Sequence, residues 1–187
     1  DRDRPIDFFF NGRRYSGYEG DTLASALLAN GVMLVGRSFK YHRPRGITSA
    51  GTEEQNALVQ LERGARTISN MLATRVPLYE GLDAASVNCW PSPNFDFMAM
   101  NSLFHRILPA GFYYKTFMWP VSAWEYYEHI IRRAAGLGRS PMEPDADTYD
   151  KMNAHADLIV VGGGPAGLTA VRSAGIRGAR VILVDEQ

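Results

Sequence analysis

The sequence predicts an α/β chain: an α+β N-terminal part, a helical connector, and the opening of a doubly wound parallel unit. Three observations predict it. Two alternating runs flank Asn11-Gly12 near the start, and an aromatic-rich stretch with helical spacing follows Trp90. The 187 residues then close on a strand, glycine-rich turn, helix and strand, DLIVVGGGPAGLTAVRSAGIRGARVILVDEQ, from Asp157 to Gln187. The expected parts are residues 1–89, 90–153 and 154–187.

In the first part, Ile6–Phe10 and Arg13–Tyr18 are joined by Asn-Gly, the strongest short-range hairpin signal. Asp21 is the expected N-cap of a helix with Leu23, Ala26 and Leu27 on one face, and Gly31 its stop. Val32–Val35 resumes an extended run. Ala57–Glu62 and Arg66–Met71 bracket Arg63-Gly64-Ala65 as a second hairpin, and Arg75–Tyr79 supplies a last strand. A hairpin, a helix and then further strands is the order of a β-grasp domain.

In the connector, Trp90-Pro91-Ser92-Pro93 is a stiff linker. Asn94 is expected to cap a helix whose Phe97, Met100, Phe104, Ile107 and Leu108 share a face until Pro109 ends it. Phe112, Tyr113, Tyr114, Phe117 and Trp119 crowd the following loop. Ser122 with Glu125 reads as a capping box for a helix bearing Trp124, Tyr127, Ile131 and Ala134, closed by Gly136. Arg139–Asp150, with Pro141 and Pro144, reads as an exposed connector. Such an aromatic cluster points to packing or a subunit contact ahead of a substrate cage.

The last part reads as the start of a Rossmann-type NAD/FAD-binding domain. Gly162, Gly164 and Gly167 give G-x-G-x-x-G directly after the apolar run Leu158–Val161. Asp185 follows Gly162 by 185 − 162 = 23 positions, close to the roughly 20 expected of a ribose-binding acid. Gly162 permits the tight turn, Gly164 lets the backbone approach a pyrophosphate, and Gly167 lets helix and strand pack closely. Gly163 lies within the same turn. Pro165 suits a first helical turn, and small Ala166 leaves the helix's free N–H groups open to an anion. Asp185 is placed to accept ribose hydroxyls, with Glu186 and Gln187 beside it for the ribose or the adenine edge. The acidic pair disfavours a 2′-phosphate and hence NADP. The motif serves NAD and FAD alike, and the plain alternative is a tight βαβ turn that binds nothing. Val181–Val184 is only a second strand, so the chain is expected to belong to a longer subunit. Without more of the sheet, this end is expected to be poorly ordered.

Apolar residues make up 45% and charged residues 21%, with a formal net charge of zero, so there is no electrostatic case for nucleic acid. No run of 18 apolar residues suggests a membrane span, DRDRPIDFFF lacks a signal-peptide apolar region, and the cytoplasm is the default compartment. A single cysteine, Cys89, rules out an internal disulfide and a cysteine-built metal site, and it reads as a small buried apolar residue. No metal site is expected. The basic segment GRSFKYHRPRGI, Gly36–Ile47, concentrates Arg37, Lys40, Arg43 and Arg45 around Tyr41 and His42. The plainer expectation is a solvated loop whose arginines pair with carboxylates; the alternative is contact with an anion or flavin phosphate across a subunit boundary. His42, His105, His129 and His155 each read as structural or exposed, so no catalytic residue is assigned.

KYHRPRG (Lys40–Gly46), GTEEQNALV (Gly51–Val59), LPAGFYYKTFMWP (Leu108–Pro120), IIRRAAGLG (Ile130–Gly138) and the GGGPAG…VILVDEQ unit occur in this order. Together they resemble the alpha subunits of heterotetrameric sarcosine oxidases, over nearly all of the chain. The resemblance implies a ferredoxin-like β-grasp domain followed by a domain holding NAD, with Ala166, Asp185, Glu186 and Gln187 touching it. It implies oxidative demethylation of sarcosine to glycine, with the one-carbon unit released as formaldehyde or passed to tetrahydrofolate. FAD, FMN and the folate site would lie elsewhere in the complex, whose partners would be the beta, gamma and delta subunits. Relatives sharing KYHRPRG, such as cyanide synthase subunits and some amine dehydrogenases, follow it with a cysteine-rich loop for a [2Fe–2S] cluster. Here the matching place reads SAGTEEQNALV (Ser49–Val59), so a domain without a cluster is expected. A non-exchanging NAD would then be a structural group. Two other readings remain: an FAD-binding subunit of an opine, proline or hydroxyproline dehydrogenase, and a non-catalytic assembly module.

Overall fold

A computed structural model describes residues 3–106, 110, 111, 119–135 and 141–185. The chain forms two compact units, Asp1–Ala146 and Asp147–Gln187.

The first unit is built on a five-stranded mixed sheet. Strand β1 (Pro5–Phe10) pairs antiparallel with β2 (Arg13–Tyr18), from Pro5↔Tyr18 to Phe10↔Arg13. Asn11 and Gly12, both at positive φ, make the two-residue turn whose twist suits a hairpin. Helix α1 (Leu23–Ala29) follows, then the two-residue ribbon of β3 (Gly36–Arg37) and β4 (Pro44–Arg45). Strands β5 (Leu58–Leu61) and β6 (Ile68–Leu72) pair antiparallel, joined through a 3₁₀ turn at Gly64–Arg66. Strand β7 (Asp83–Ser86) then enters between β1 and β5, parallel to the first and antiparallel to the second. The order across the sheet is β2-β1-β7-β5-β6.

The core follows from alternation. In Phe8-Phe9-Phe10 the outer two rings are buried and the middle one is exposed, as period-2 strand geometry requires. Leu23, Ala24, Ala26 and Leu27 of α1 are buried with them, together with Val35, Val59, Leu61 and Leu82. Gly17 of β2 lets the helix come close: a Cβ there would lie 3.0 Å from the Cβ of Ala26.

Several boundaries differ from those the sequence suggests. The N-cap of α1 is Thr22, in a reciprocal capping box with Ser25. Asp21 sits one residue earlier, accepting from the Tyr18 amide and the Ser25 hydroxyl. Residues 32–35 form no strand. Arg75–Tyr79 is not the last strand either: a 3₁₀ turn covers Ala73–Arg75, and only Pro77 makes an isolated bridge, to Thr22. The closing strand is Asp83–Ser86, whose short polar residues DAAS carry little strand signal.

After Trp90, Asp96 rather than Asn94 caps the next element, and that element is a 3₁₀ helix, Phe97–Phe104, with no buried residue. Leu108, Ile107 and Pro109 lie outside the described residues, as do Phe112, Tyr113, Tyr114 and Phe117 of the aromatic loop, and Gly136 and Arg139. Helix α2 (Trp124–Ala135) is preceded directly by a 3₁₀ turn, Val121–Ala123, so Ser122 lies inside a turn instead of capping a helix.

The second unit is β8 (Leu158–Val161), α3 (Pro165–Ile176) and β9 (Val181–Val184). The strands pair parallel and in register, from Leu158↔Val181 to Val161↔Val184. Their apolar side chains are largely uncovered, Ile159 being 61% and Val161 83% exposed. Among the described residues, no helix is long and apolar enough to cross a membrane.

Candidate functional site

In the second unit the glycine turn, the start of α3 and the end of β9 converge. Gly162, at φ +104, turns the chain out of β8, a conformation costly for any side chain. Gly164 is the N-cap of α3 and Pro165 stands at its first turn; no side chain caps this end. The free N–H groups of the first turn, which include Ala166 and Gly167, and the positive end of the helix dipole therefore lie where an anion is favoured. Gly167 touches the turn itself: a Cβ there would overlap the Gly162 carbonyl oxygen and lie 3.4 Å from Cγ1 of Val160. A Cβ on Gly164 would meet nothing within 4 Å.

Asp185, just beyond β9, faces this turn, and its carboxylate accepts a hydrogen bond from the Gly163 N–H. At the other end of the unit Asp157 accepts from the Arg180 N–H at 2.8 Å, tying the start of β8 to that of β9. Gly162, Gly163, Gly164, Pro165, Ala166, Gly167 and Asp185 are thus brought together, whereas Glu186 and Gln187 lie outside the described residues.

The basic segment of the first unit is not solvated throughout, His42 being buried and Arg37 half-buried. His42, 2% exposed, places Nδ1 2.7 Å from Oδ2 of the fully buried Asp96 carboxylate. The other oxygen of Asp96 accepts from the Trp90 and Met98 amides. Arg37 donates to carbonyls, those of Pro93 at 2.7 Å and His42 at 2.9 Å. Lys40 and Arg43 lie over the Tyr41 ring. Arg37 and His42 thus lock the segment onto residues 90–98. Sequence reasoning missed the His42–Asp96 pair because the two lie 54 positions apart. His105, His129 and His155 are exposed.

Cys89 is half-buried, not wholly buried. Burial, with a smaller contribution from Asp96 and against Arg37, pushes its thiol up to about 11, which makes it a poor nucleophile at neutral pH.

A second polar centre was not legible as a site. Glu54, 4% exposed, lies in the loop before β5. Its carboxylate accepts from the N–H groups of Thr48 (2.6 Å), Ser49 (2.7 Å) and Asn56 (2.7 Å), and from the Thr48 hydroxyl at 3.0 Å. Burial alone would raise its pKa, but these bonds to the charged form outweigh it and hold the carboxyl down to about 2. The adjacent Glu53 is exposed, so the pair Glu53-Glu54 reads in sequence as an ordinary solvated turn. Among the described residues, no group of three His, Cys, Asp or Glu side chains is placed to hold a metal ion.

Residues 3–89 match a family described as a 2Fe-2S iron-sulfur cluster binding domain. The residues do not fit such a cluster. Four thiolates are needed, and this sequence has one cysteine. Over its full length the chain is 62% identical to the sarcosine oxidase subunit alpha of Rhizobium meliloti (strain 1021), spanning 19% of that relative. It is 34% identical to the subunit of the same name from Corynebacterium sp. (strain U-96) and 35% identical to that of strain P-1, spanning 15% of each. A solved L-proline dehydrogenase from P. horikoshii superposes on 96% of this chain and 24% of its own, with a TM-score of 0.42 and 16% identity, a likeness too slight to bear on function. The chain is therefore similar, throughout its length, to a part of sarcosine oxidase alpha subunits, and its residues 3–89 resemble a 2Fe-2S cluster-binding domain in sequence.

Proposed function

From this similarity, we propose that the chain acts as part of the alpha subunit of a sarcosine-oxidising complex and that its second unit holds NAD. The observation that carries the subunit reading is the 62% identity, which runs across both units without interruption of coverage. The geometry of the second unit supports the nucleotide: a parallel βαβ pair, an uncapped helix start behind a glycine turn, and an acid at the end of the second strand. This is the opening of a Rossmann-type domain. The pyrophosphate would rest at Gly162–Gly167 on the N-terminus of α3, and Asp185 would exchange its Gly163 partner for the ribose hydroxyls. Glu186 and Gln187 would complete the adenosine side. Division at residues 1–89, 90–153 and 154–187 fits this assignment, with the middle part serving subunit contacts.

In this reading the complex oxidises the N-methyl group of sarcosine at a flavin site outside this chain. FAD, FMN and tetrahydrofolate bind elsewhere, and beta, gamma and delta subunits complete the assembly in the cytoplasm. NAD serves as a fixed structural group that stabilises the fold it binds.

The test is to purify the full-length subunit with its partners, denature the complex and identify the released nucleotides by mass. NAD together with flavins is expected, and Asp185→Ala should deplete NAD while leaving flavin content unchanged. Release of FAD as the only nucleotide, or nicotinamide reduction by added sarcosine, would overturn the structural-NAD assignment.

A further inference from the structure

Residues 3–89 match a cluster-binding family, and their loop at residues 48–57 is held by hydrogen bonds that converge on the Glu54 carboxylate. Plant-type clusters take their thiolates at C-x₄-C-x₂-C. Laid from Ser49, that spacing falls on Ser49, Glu54 and Ala57. All three positions are occupied in an instructive way. Ala57 is fully buried against the core. Ser49 Oγ is buried and makes no hydrogen bond among the described residues. Glu54 reaches inward, and the N–H groups of Thr48, Ser49 and Asn56 all point to its carboxylate.

Successive N–H groups turned into one concavity form an anion nest, the device by which loops hold phosphates and iron–sulfur centres. Such a nest with nothing in it leaves several buried donors unsatisfied, at a cost that accumulates with each. We propose that Glu54 is the resident anion of this nest, an internal carboxylate standing where cluster-binding relatives place their metal centre, so that the domain keeps its fold with no cofactor.

Three further bonds fit that role. The Glu54 amide donates to the Gly51 carbonyl at 3.2 Å, closing the loop on itself. The Thr74 hydroxyl donates to the same carbonyl at 2.8 Å, and the Ala73 amide to the Ala57 carbonyl at 2.8 Å. The loop is thereby fastened to the 3₁₀ turn that follows β6. A negative charge at Glu54 orders residues 48–57 from inside, and the fastening bonds hold it from outside.

The experiment uses the full-length subunit assembled with its partners, followed by amide hydrogen exchange over residues 48–57. Glu54→Gln keeps the shape and removes the charge; Glu54→Ala removes both. Protection of the Thr48, Ser49 and Asn56 amides should fall at least tenfold in each, with the β1–β2 hairpin unchanged. Sodium formate, a carboxylate small enough for the space left in Glu54→Ala, should restore protection there, and sodium chloride at equal ionic strength should not. Unchanged protection in both variants, or loss that formate does not reverse in a folded Glu54→Ala, would overturn the proposal. If neither variant assembles, the native complex decides: a [2Fe–2S] signal on reduction in electron paramagnetic resonance refutes it, and persistent protection of these three amides after exhaustive iron chelation supports it.

Discussion

Replacing Gly167 by alanine tests whether the close approach of helix and turn holds the second unit together. The new Cβ would overlap the Gly162 carbonyl oxygen and lie 3.1 Å from its carbonyl carbon, against an ordinary carbon–carbon contact of about 3.5–4.0 Å. Both obstacles are backbone, so no rotamer can relieve them and α3 must move away from β8. Overpacking of this kind costs about 3 kcal/mol, the upper end of the usual range, or roughly a hundredfold in the local opening equilibrium. Gly164→Ala is the paired control. Its Cβ meets nothing within 4 Å, so the fold should lose no more than about 1 kcal/mol, the cost of a poorer N-cap. The assay is hydrogen exchange at Val160, Val161 and Gly162 in the assembled complex, with nucleotide content measured on the same samples. Gly167→Ala should lose both protection and nucleotide. Gly164→Ala should keep protection and lose nucleotide, because its methyl group stands where a pyrophosphate would approach. Native protection in Gly167→Ala would refute the steric argument, and full nucleotide content in Gly164→Ala would refute the placement of the phosphates.

Glu54 makes stability depend on acid. Its folded pKa of about 2 lies below the ordinary 4.5, so its contribution is complete above about pH 5 and is lost as pH falls towards 2; the shift is worth about 3 kcal/mol. Denaturant titrations between pH 6 and pH 2.5 should show that loss, and Glu54→Gln should flatten it. His42→Ala leaves the buried Asp96 carboxylate without its ring partner and should destabilise the first unit by about 2–3 kcal/mol in the same titrations; a loss under 1 kcal/mol would deny the pair its structural role. Cys89, with its thiol at about 11 against the usual 9, should alkylate with iodoacetamide at pH 8 roughly a hundredfold more slowly than an unperturbed thiol, and labelling at the ordinary rate would contradict its burial.

What the sequence made legible were features written in neighbouring residues. The Asn11-Gly12 hairpin and the G-x-G-x-x-G turn depend on local backbone requirements, and both stand where their letters put them. Strand β7 was missed because DAAS has neither β-branched nor aromatic residues; it is a strand only because β1 and β5 hydrogen-bond it on both sides. The preceding run Arg75–Tyr79 has the strand-like composition, but it begins within a 3₁₀ turn and makes a single isolated bridge. Asn94 lost its capping place to Asp96, whose carboxylate is held in position by His42, a partner no local pattern reveals. Glu54 was overlooked for a different reason. An acid in a polar loop is ordinarily solvated, and only laying the cysteine spacing over Ser49–Ala57 would have singled it out.

The parallel union of β1 with β7 has a consequence for how the molecule comes into being. Asn11 and Ser86, which exchange hydrogen bonds beside that junction, are 75 positions apart. The first hairpin can close as soon as it leaves the ribosome, on a microsecond scale. Its buried phenylalanines, however, stay without their central neighbour until the chain has grown past Ser86, and loop closure over that distance is the slow step in forming the sheet. During synthesis the growing chain therefore carries an apolar ribbon, open to wrong partners, for the whole time the segment between is being made.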